Sequence, residues 1–376
     1  MRVEDFDYEL PEELIAQTPL ERRTDSRLMV VDPVAQTMIH TRFANLRDHL
    51  VPGDVLVLNN SKVLPARIMA VKADTGARIE LLLSKAIAED EWEVLARPAK
   101  RLKAGTTLTI LEPLPGEADR WRPSGGTAVV TAVCEEGLRH IRFSAREPLE
   151  TFFQRVGNVP LPPYIHTKLR DPNRYQTVYA QHAGSVAAPT AGLHFTEDLL
   201  QEVREMGVEV HFVTLHVGLG TFKPVKVERV EEHRMHSEAY YVPPSVADAV
   251  RRAKREGRRV IAVGTTALRT LESAGQDGDI RAGGGDTSIF IYPGYRFRVI
   301  DALITNFHLP KSTLLMLVAA FMGLDFTKRV YETAVAERYR FFSFGDAMFI
   351  VRGAWSGDGQ DKVSAGGGDS NGTGTV

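Results

Sequence analysis

Residues 287–323 read TSIFIYPGYRFRVIDALITNFHLPKSTLLMLVAAFMG. Two apolar runs, Ile289 to Tyr292 and Val299 to Thr305, are each stopped by a turn signal, as buried strands are. Pro310 sets a boundary, and Ser312 or Thr313 can cap the apolar helix Leu314 to Met322. Between the two kinds of element lie polar groups able to do chemistry, among them Tyr292, Arg296, Asn306 and His308. A polar loop held by buried elements is the frame a rigid site needs.

The same alternation recurs on both sides. Asp54 to Leu58 (DVLVL) is a strand candidate running into Asn59, Asn60, Ser61 and Lys62. Thr196 caps a helix over 197–206 that Gly207 ends, and a strand follows over 208–215. A helix over 244–257 leads to a strand over 259–263, a Gly264-Thr265-Thr266 turn and a helix over 267–273. The texture changes between 63 and 152. Short alternating runs at 78–83, 92–96, 106–111, 127–133 and 138–143 are separated by Gly, Pro and charged turns, the spacing of a small β-barrel or sandwich. The sequence therefore predicts an α/β main domain (1–62 and 153–353) with an inserted small all-β, barrel-like domain (63–152). A Gly/Asp-rich loop over 275–285 is expected to be mobile, and a Gly- and Ser-rich tail over 356–376 to be disordered.

Bulk composition narrows the function classes. With 43% hydrophobic and 25% charged residues in 376, the chain is ordinary globular material. A net charge of -2 gives no global attraction to nucleic acid, so polyanion binding has to come from local patches. Two exist: Arg251, Arg252, Lys254, Arg255, Arg258 and Arg259 on one helix and its exit, and Arg97, Lys100, Arg101 and Lys103 on a β hairpin. The lone Cys134 excludes an intramolecular disulfide and a cysteine-rich metal site. The acidic start MRVEDFDYEL and the shortness of the longest apolar run point to a soluble, cytoplasmic protein, with a monomer as the default.

Candidate site residues fall in loops that follow strands. The Gly264-Thr265-Thr266 turn, with Arg269 one turn on, could cradle a carboxylate or phosphate. Neither GxGxxG nor GxxxxGK[ST] occurs there, so it is no nucleotide fingerprint. His194, His216, His236 and His308 sit in separate Gly/Thr/Pro loops, at spacings that match no metal signature. Each could be a hydrogen-bonded structural residue or an acid–base group, and the sequence does not rank them. Thr190 and Gly192 of PTAGLHF and Thr221 of HVGLGTF mark turns where backbone could approach a ligand. The segment 339–346 (YRFFSFGD) mixes aromatic and basic groups that could stack a base.

Assembled, the strings FDYELPEELIAQTPLERRTDSRLMV, NNSKVLPARI, AAPTAGLHFT, LHVGLGTFKPV, MHSEAYYV, TSIFIYPGYRFRVIDALITNFHLPKSTLLMLV and YRFFSFGDAMFI resemble the S-adenosylmethionine:tRNA ribosyltransferase-isomerase family of queuosine biosynthesis. The resemblance spans about Asp5 to Arg352. It implies transfer and isomerisation of the ribosyl part of S-adenosylmethionine onto the aminomethyl-deazaguanine wobble base of tRNA, with release of adenine and methionine. No metal or bound cofactor is implied. On this reading His194, His216, His308 and Glu238 are the acid–base and charge-balancing candidates. Thr190, Gly192, Thr221, Thr265, Thr266, Arg269, Tyr292 and Asn306 are the substrate-binding ones, and Arg22, Arg23, Lys62, Arg67, Arg296 and Arg340 would meet the tRNA. The two rival classes are a non-catalytic RNA-binding protein and a methyltransferase.

Overall fold

In the computed structural model, which describes residues 1–114, 117–167, 169, 171–218, 220 and 225–351, the chain forms mixed sheets with helices. The expected tail over 356–376 lies outside the described residues. The strands in chain order begin with β1 (Arg27–Asp32), β2 (Thr37–Arg42), β3 (Val55–Asn59) and β4 (Ser61–Val63). Next come β5 (Arg67–Lys72), β6 (Arg78–Ala86), β7 (Glu91–Arg97), β8 (Thr107–Leu114), β9 (Glu117–Val133), β10 (Leu138–Ser144), β11 (Gly157–Asn158) and β12 (His182–Ser185). The last six are β13 (Glu209–Leu215), β14 (Glu238–Val242), β15 (Val260–Val263), β16 (Gly283–Thr287), β17 (Ala302–Asn306) and β18 (Ala347–Val351). The helices are α1 (Leu149–Val156), α2 (Glu197–Glu205), α3 (Pro244–Arg255), α4 (Gly264–Ala274), α5 (Thr313–Met322) and α6 (Leu324–Ala336). Among the described residues, no helix is long and apolar enough to cross a membrane.

The main sheet has nine strands in the order β16-β14-β13-β3-β15-β17-β18-β1-β2. Its centre, β13-β3-β15-β17, is parallel. Strands buried on both faces read as unbroken apolar runs, and β3, β15 and β18 do. Successive side chains of each strand go to opposite cores. Val55 and Val57 pack with Val260, Ala262, Leu303, Met348 and Ile350 under α3 to α6. Leu56 and Leu58 pack with Ile261, Val263, Ile304 and Phe349 under α2 and the turn Phe43–His49. Each fully buried Leu, Ile or Val contributes about 1.5–3 kcal/mol against exposure.

The second sheet runs β11-β5-β6-β7-β10-β9-β8, and β5 also pairs with β8 (Ala70 opposite Ile110). Hydrogen bonding thus passes round six strands and returns to its start, enclosing a core of Ile68, Leu81, Val94, Leu108, Ile110, Val130 and Ile141. Phe152, Phe153 and Val156 of α1 belong to that core.

Three local expectations differ from the structure. Ile289–Tyr292 is not a strand: the Thr287 hydroxyl captures the Ile289 N–H at 3.1 Å, and Pro293, which has no N–H, follows. Gly264, Thr265 and Thr266 are the first turn of α4 rather than a turn before it, with Gly264 at φ +84° making the strand-to-helix corner. The 275–285 loop gives its last residues, from Gly283, to β16, which pairs with β14.

Candidate active site

Parallel strands carry their C-terminal ends to one edge of the sheet, where α/β proteins place ligands. Here β3 ends in Asn59-Asn60-Ser61, β13 in His216, β15 in α4, and β17 in Asn306 and His308. The polar residues after β3 form a clasp. Asn59 donates to the Leu215 carbonyl (3.0 Å) and accepts from the Leu215 N–H (3.0 Å), while Asn60 accepts from Thr214 at 2.8 Å. The Ser185 hydroxyl donates to Ser61 (2.8 Å) and accepts from the Val217 N–H (3.0 Å). The loop that carries His216 is therefore held on both sides of the histidine.

A cleft of about 1340 Å3 opens between this edge and the β unit. One wall is Gly184, His216, Val217, Gly218, His236 and Glu238; the other includes Ser84, Lys85, Trp92, Glu93, Glu147 and Phe153. The lining carries seven carboxylates (Glu89, Asp90, Glu93, Glu147, Glu150, Glu238, Asp286) against one lysine; Asp90, Glu147 and Glu238 pair with Arg142, Arg155 and Arg269, which leaves four against Lys85. Such walls draw cations and repel phosphate.

The three histidines proposed for proton transfer occupy different settings. His216 is half-buried at the cleft, its Nδ1 without a hydrogen-bond partner and its ring packed on Gly184, where a Cβ would stand 2.6 Å from Nδ1. Burial, and then the nearby His182, hold its pKa below the usual histidine value, so the ring is neutral at pH 7. His194 lies outside the cleft, stacked on Phe43. Asn306 Nδ2 donates to the Phe342 carbonyl (3.0 Å) and lies 3.2 Å from His194 Nε2. Nε2 therefore accepts, and Nδ1–H donates to Ser26 Oγ at 2.8 Å. Its lone pair is already engaged. His308 Nε2 meets Thr305 Oγ1 at 2.8 Å, and its main chain is fixed by Tyr8 and Tyr331. Burial drives the pKa of both His194 and His308 down to about 3.

Glu238 and Arg269 form a buried ion pair, and Glu238 Oε1 also accepts from the Gly218 N–H at 3.0 Å. The carboxylate thus ties the first turn after β13 to helix α4. Arg269 Nη2 and Thr266 Oγ1 are buried without partners, and Thr265 is buried at the N-terminal turn of α4. These donors lie behind the cleft wall, since none of the three residues is in its lining, and unpartnered donors of this kind suit an anion.

The remaining candidates separate. Thr190 and Gly192 lie on a 3-10 turn (Thr190–His194) pressed against Tyr179. Tyr292 is half-buried against Phe290, away from the cleft lining, and Thr221 lies outside the described residues. Of the basic candidates, Arg23 donates to the carbonyls of Gln176 (2.8 Å), Leu193 (3.0 Å) and Asn173 (3.3 Å), and Arg340 donates to that of Thr18. Arg67 stands 3.9 Å from Glu80, while Arg22, Lys62 and Arg296 are exposed. The clasp residue Ser185 and the cleft carboxylates of the β unit had no signal in the sequence beyond ordinary polar loops. Among the described residues, no group of three His, Cys, Asp or Glu side chains is arranged to hold a metal ion.

The family model described as "Queuosine biosynthesis protein" matches residues 3–350. The chain is similar to the S-adenosylmethionine tRNA ribosyltransferase from Thermotoga maritima, whose crystal structure was determined at 2.00 Å. The two are 39% identical, the match covers 92% of this chain and 100% of that one, and the TM-score is 0.53.

Proposed function

Since the chain belongs to the queuosine biosynthesis protein family, we infer that it is an S-adenosylmethionine:tRNA ribosyltransferase-isomerase. It moves the ribosyl part of S-adenosylmethionine onto the aminomethyl-deazaguanine wobble base of tRNA and isomerises it to the epoxycyclopentanediol of epoxyqueuosine. Adenine and methionine leave, so S-adenosylmethionine is consumed as a substrate.

The observation that carries the site assignment is a neutral imidazole facing a carboxylate-lined cleft. The proton next to a sulfonium is already acidified by its charge, and His216 is the base that takes it. Carboxylates of the cleft balance the sulfonium and ammonium of the donor and the ammonium of the incoming base. Arg269 Nη2, Thr265 and Thr266 hold the methionine carboxylate, with Glu238 fixing Arg269. His194 and Asn306 act as positioning residues for the 190–194 turn, and His308 for the loop after β17.

The β unit is, on this reading, an inserted barrel-like domain. Its own core and the return of β5 onto β8 support that. A tRNA substrate implies a cytoplasmic enzyme, which would meet the RNA through exposed cations such as Arg22, Lys62 and Arg296, with the target base extruded into the cleft.

Incubating the protein with S-adenosylmethionine and tRNA carrying the aminomethyl-deazaguanine base tests the reading. Adenine and methionine should appear together, only with that tRNA, by mass spectrometry. S-adenosylhomocysteine would instead establish methyl transfer, and RNA binding without turnover a binding protein.

A further inference from the structure

The sequence offers two basic clusters, and the structure treats them differently. On α3 and its exit the cations other than the exposed Arg255 are matched within the protein. Arg251 pairs with Asp248 and Asp279, Arg252 and Arg258 with Glu209, Lys254 with Asp301, and Arg259 with Asp54. On the turn after β7, Arg97, Lys100, Arg101 and Lys103 are all exposed, and none forms an ion pair among the described residues. Four unmatched cations within seven residues repel one another. They stay together only if the backbone is held.

Arg139 holds it. This buried arginine of β10 donates to the carbonyls of Ala99 (2.7 Å), Leu102 (2.9 Å), Leu138 (2.6 Å) and Cys134 (3.3 Å). Its charge is used entirely on main chain, so it fixes the turn and adds to its positive potential. The turn also borders the cleft. Leu95, two residues before Arg97, and Leu138, beside Arg139, both line it. A rigid positive lobe thus stands at the rim of a negative cleft.

We propose that the turn bearing Arg97, Lys100, Arg101 and Lys103 is the docking surface for the sugar–phosphate backbone of the tRNA beside the extruded base. The inference rests on the function assigned above and names the surface that function requires. Phosphates repelled by the cleft carboxylates settle on the lobe, while a base that carries an ammonium group enters the cleft. The division of charge selects the part of the substrate that goes in.

The test is the salt dependence of tRNA binding by the full chain, with R97Q/K100Q/R101Q/K103Q compared with wild type. The slope of log K against log salt should become shallower by about 0.9 for each phosphate that the variant no longer neutralises, and affinity at 0.1 M salt should fall by about 100-fold or more. The KM for tRNA should rise, with binding of S-adenosylmethionine alone unaltered. K100Q by itself, at an exposed position, should lower the slope by up to about 0.9, which guards against misfolding of the quadruple variant. K254Q, on the matched cluster, should leave the slope as in wild type. Equal slopes for wild type and both turn variants would overturn the proposal, as would binding of anionic vesicles in preference to tRNA. Absence of adenine release by the wild-type protein would instead strike the enzymatic reading, because the slope reports RNA binding whether or not turnover occurs.

Discussion

Acid should weaken this fold through two histidines that take no proton while folded. His194 and His308 are buried, and burial holds both near pKa 3, against about 6.5 in an unfolded chain. The folded pKa lies below the unfolded one. Between pH 6.5 and about 3 the unfolded chain therefore binds protons that the native state refuses, and stability falls as pH falls through that window. At pH 5 each histidine costs about 2 kcal/mol, or about 4 kcal/mol for the pair, a large part of the total for a typical domain. Urea unfolding at pH 7, 6 and 5 measures the loss. In His194→Asn and in His308→Asn the difference between pH 7 and pH 5 should shrink by about 2 kcal/mol each. Should either variant fold too poorly to assay, NMR of histidine-labelled wild-type protein serves in its place. Imidazole resonances of His194 and His308 that titrate near pH 6, or a pH dependence that survives both substitutions, would refute the reasoning.

Three further outcomes follow from the site. His216→Asn should lower kcat by about 10² to 10⁴-fold with little change in KM for S-adenosylmethionine, and wild-type activity should persist somewhat below pH 6.5, since the His216 pKa is depressed; full activity of the variant in an adenine-release assay would remove His216 as the base. Glu238→Gln leaves the Arg269 charge buried and should cost about 3–5 kcal/mol of stability, whereas Glu238→Gln with Arg269→Gln should cost less; thermal unfolding of the single and double variants decides, and an additive loss would contradict a coupled pair. In Gly192→Ala the new Cβ would stand 1.9 Å from the Tyr179 hydroxyl, so about 1–3 kcal/mol of overpacking is expected. Tyr179→Phe in the same chain should recover part of it in a urea melt, and no recovery would place the strain elsewhere.

The legible parts of the fold were those in which local pattern and tertiary burial agree. DVLVL is apolar at every position from Val55 to Leu58 because both faces of β3 meet a core. Thr196 and Ser312 announced helices whose first turns they do cap, accepting from Leu199 and Leu315. Ile289–Tyr292 misled because an apolar run can be buried without strand pairing, its hydrogen bonds going to Thr287 and Arg269. The site was half legible. That His216 faces the cleft while His194 is buried against Phe43, outside it, depends on residues far apart in the chain, which no local spacing records. The carboxylate wall was harder still. Glu89, Asp90, Glu147 and Glu150 are ordinary turn and helix-start residues until the β unit is folded against the main sheet.

The strand order has a bearing on synthesis. The strands of the second sheet lie close together in the chain, and all of them have been made by residue 158. Those of the main sheet have not. β18, the last described strand, lies between β17 and β1, with Leu28 opposite Ala347 and Leu303 opposite Ile350. Until it arrives, β1 and β17 each present a long apolar edge with nothing to pair it. A chain growing on the ribosome thus holds every strand of the second sheet while the main sheet stays open for nearly 200 residues more, and a product stopped before Ala347 would keep that edge open and aggregate through it.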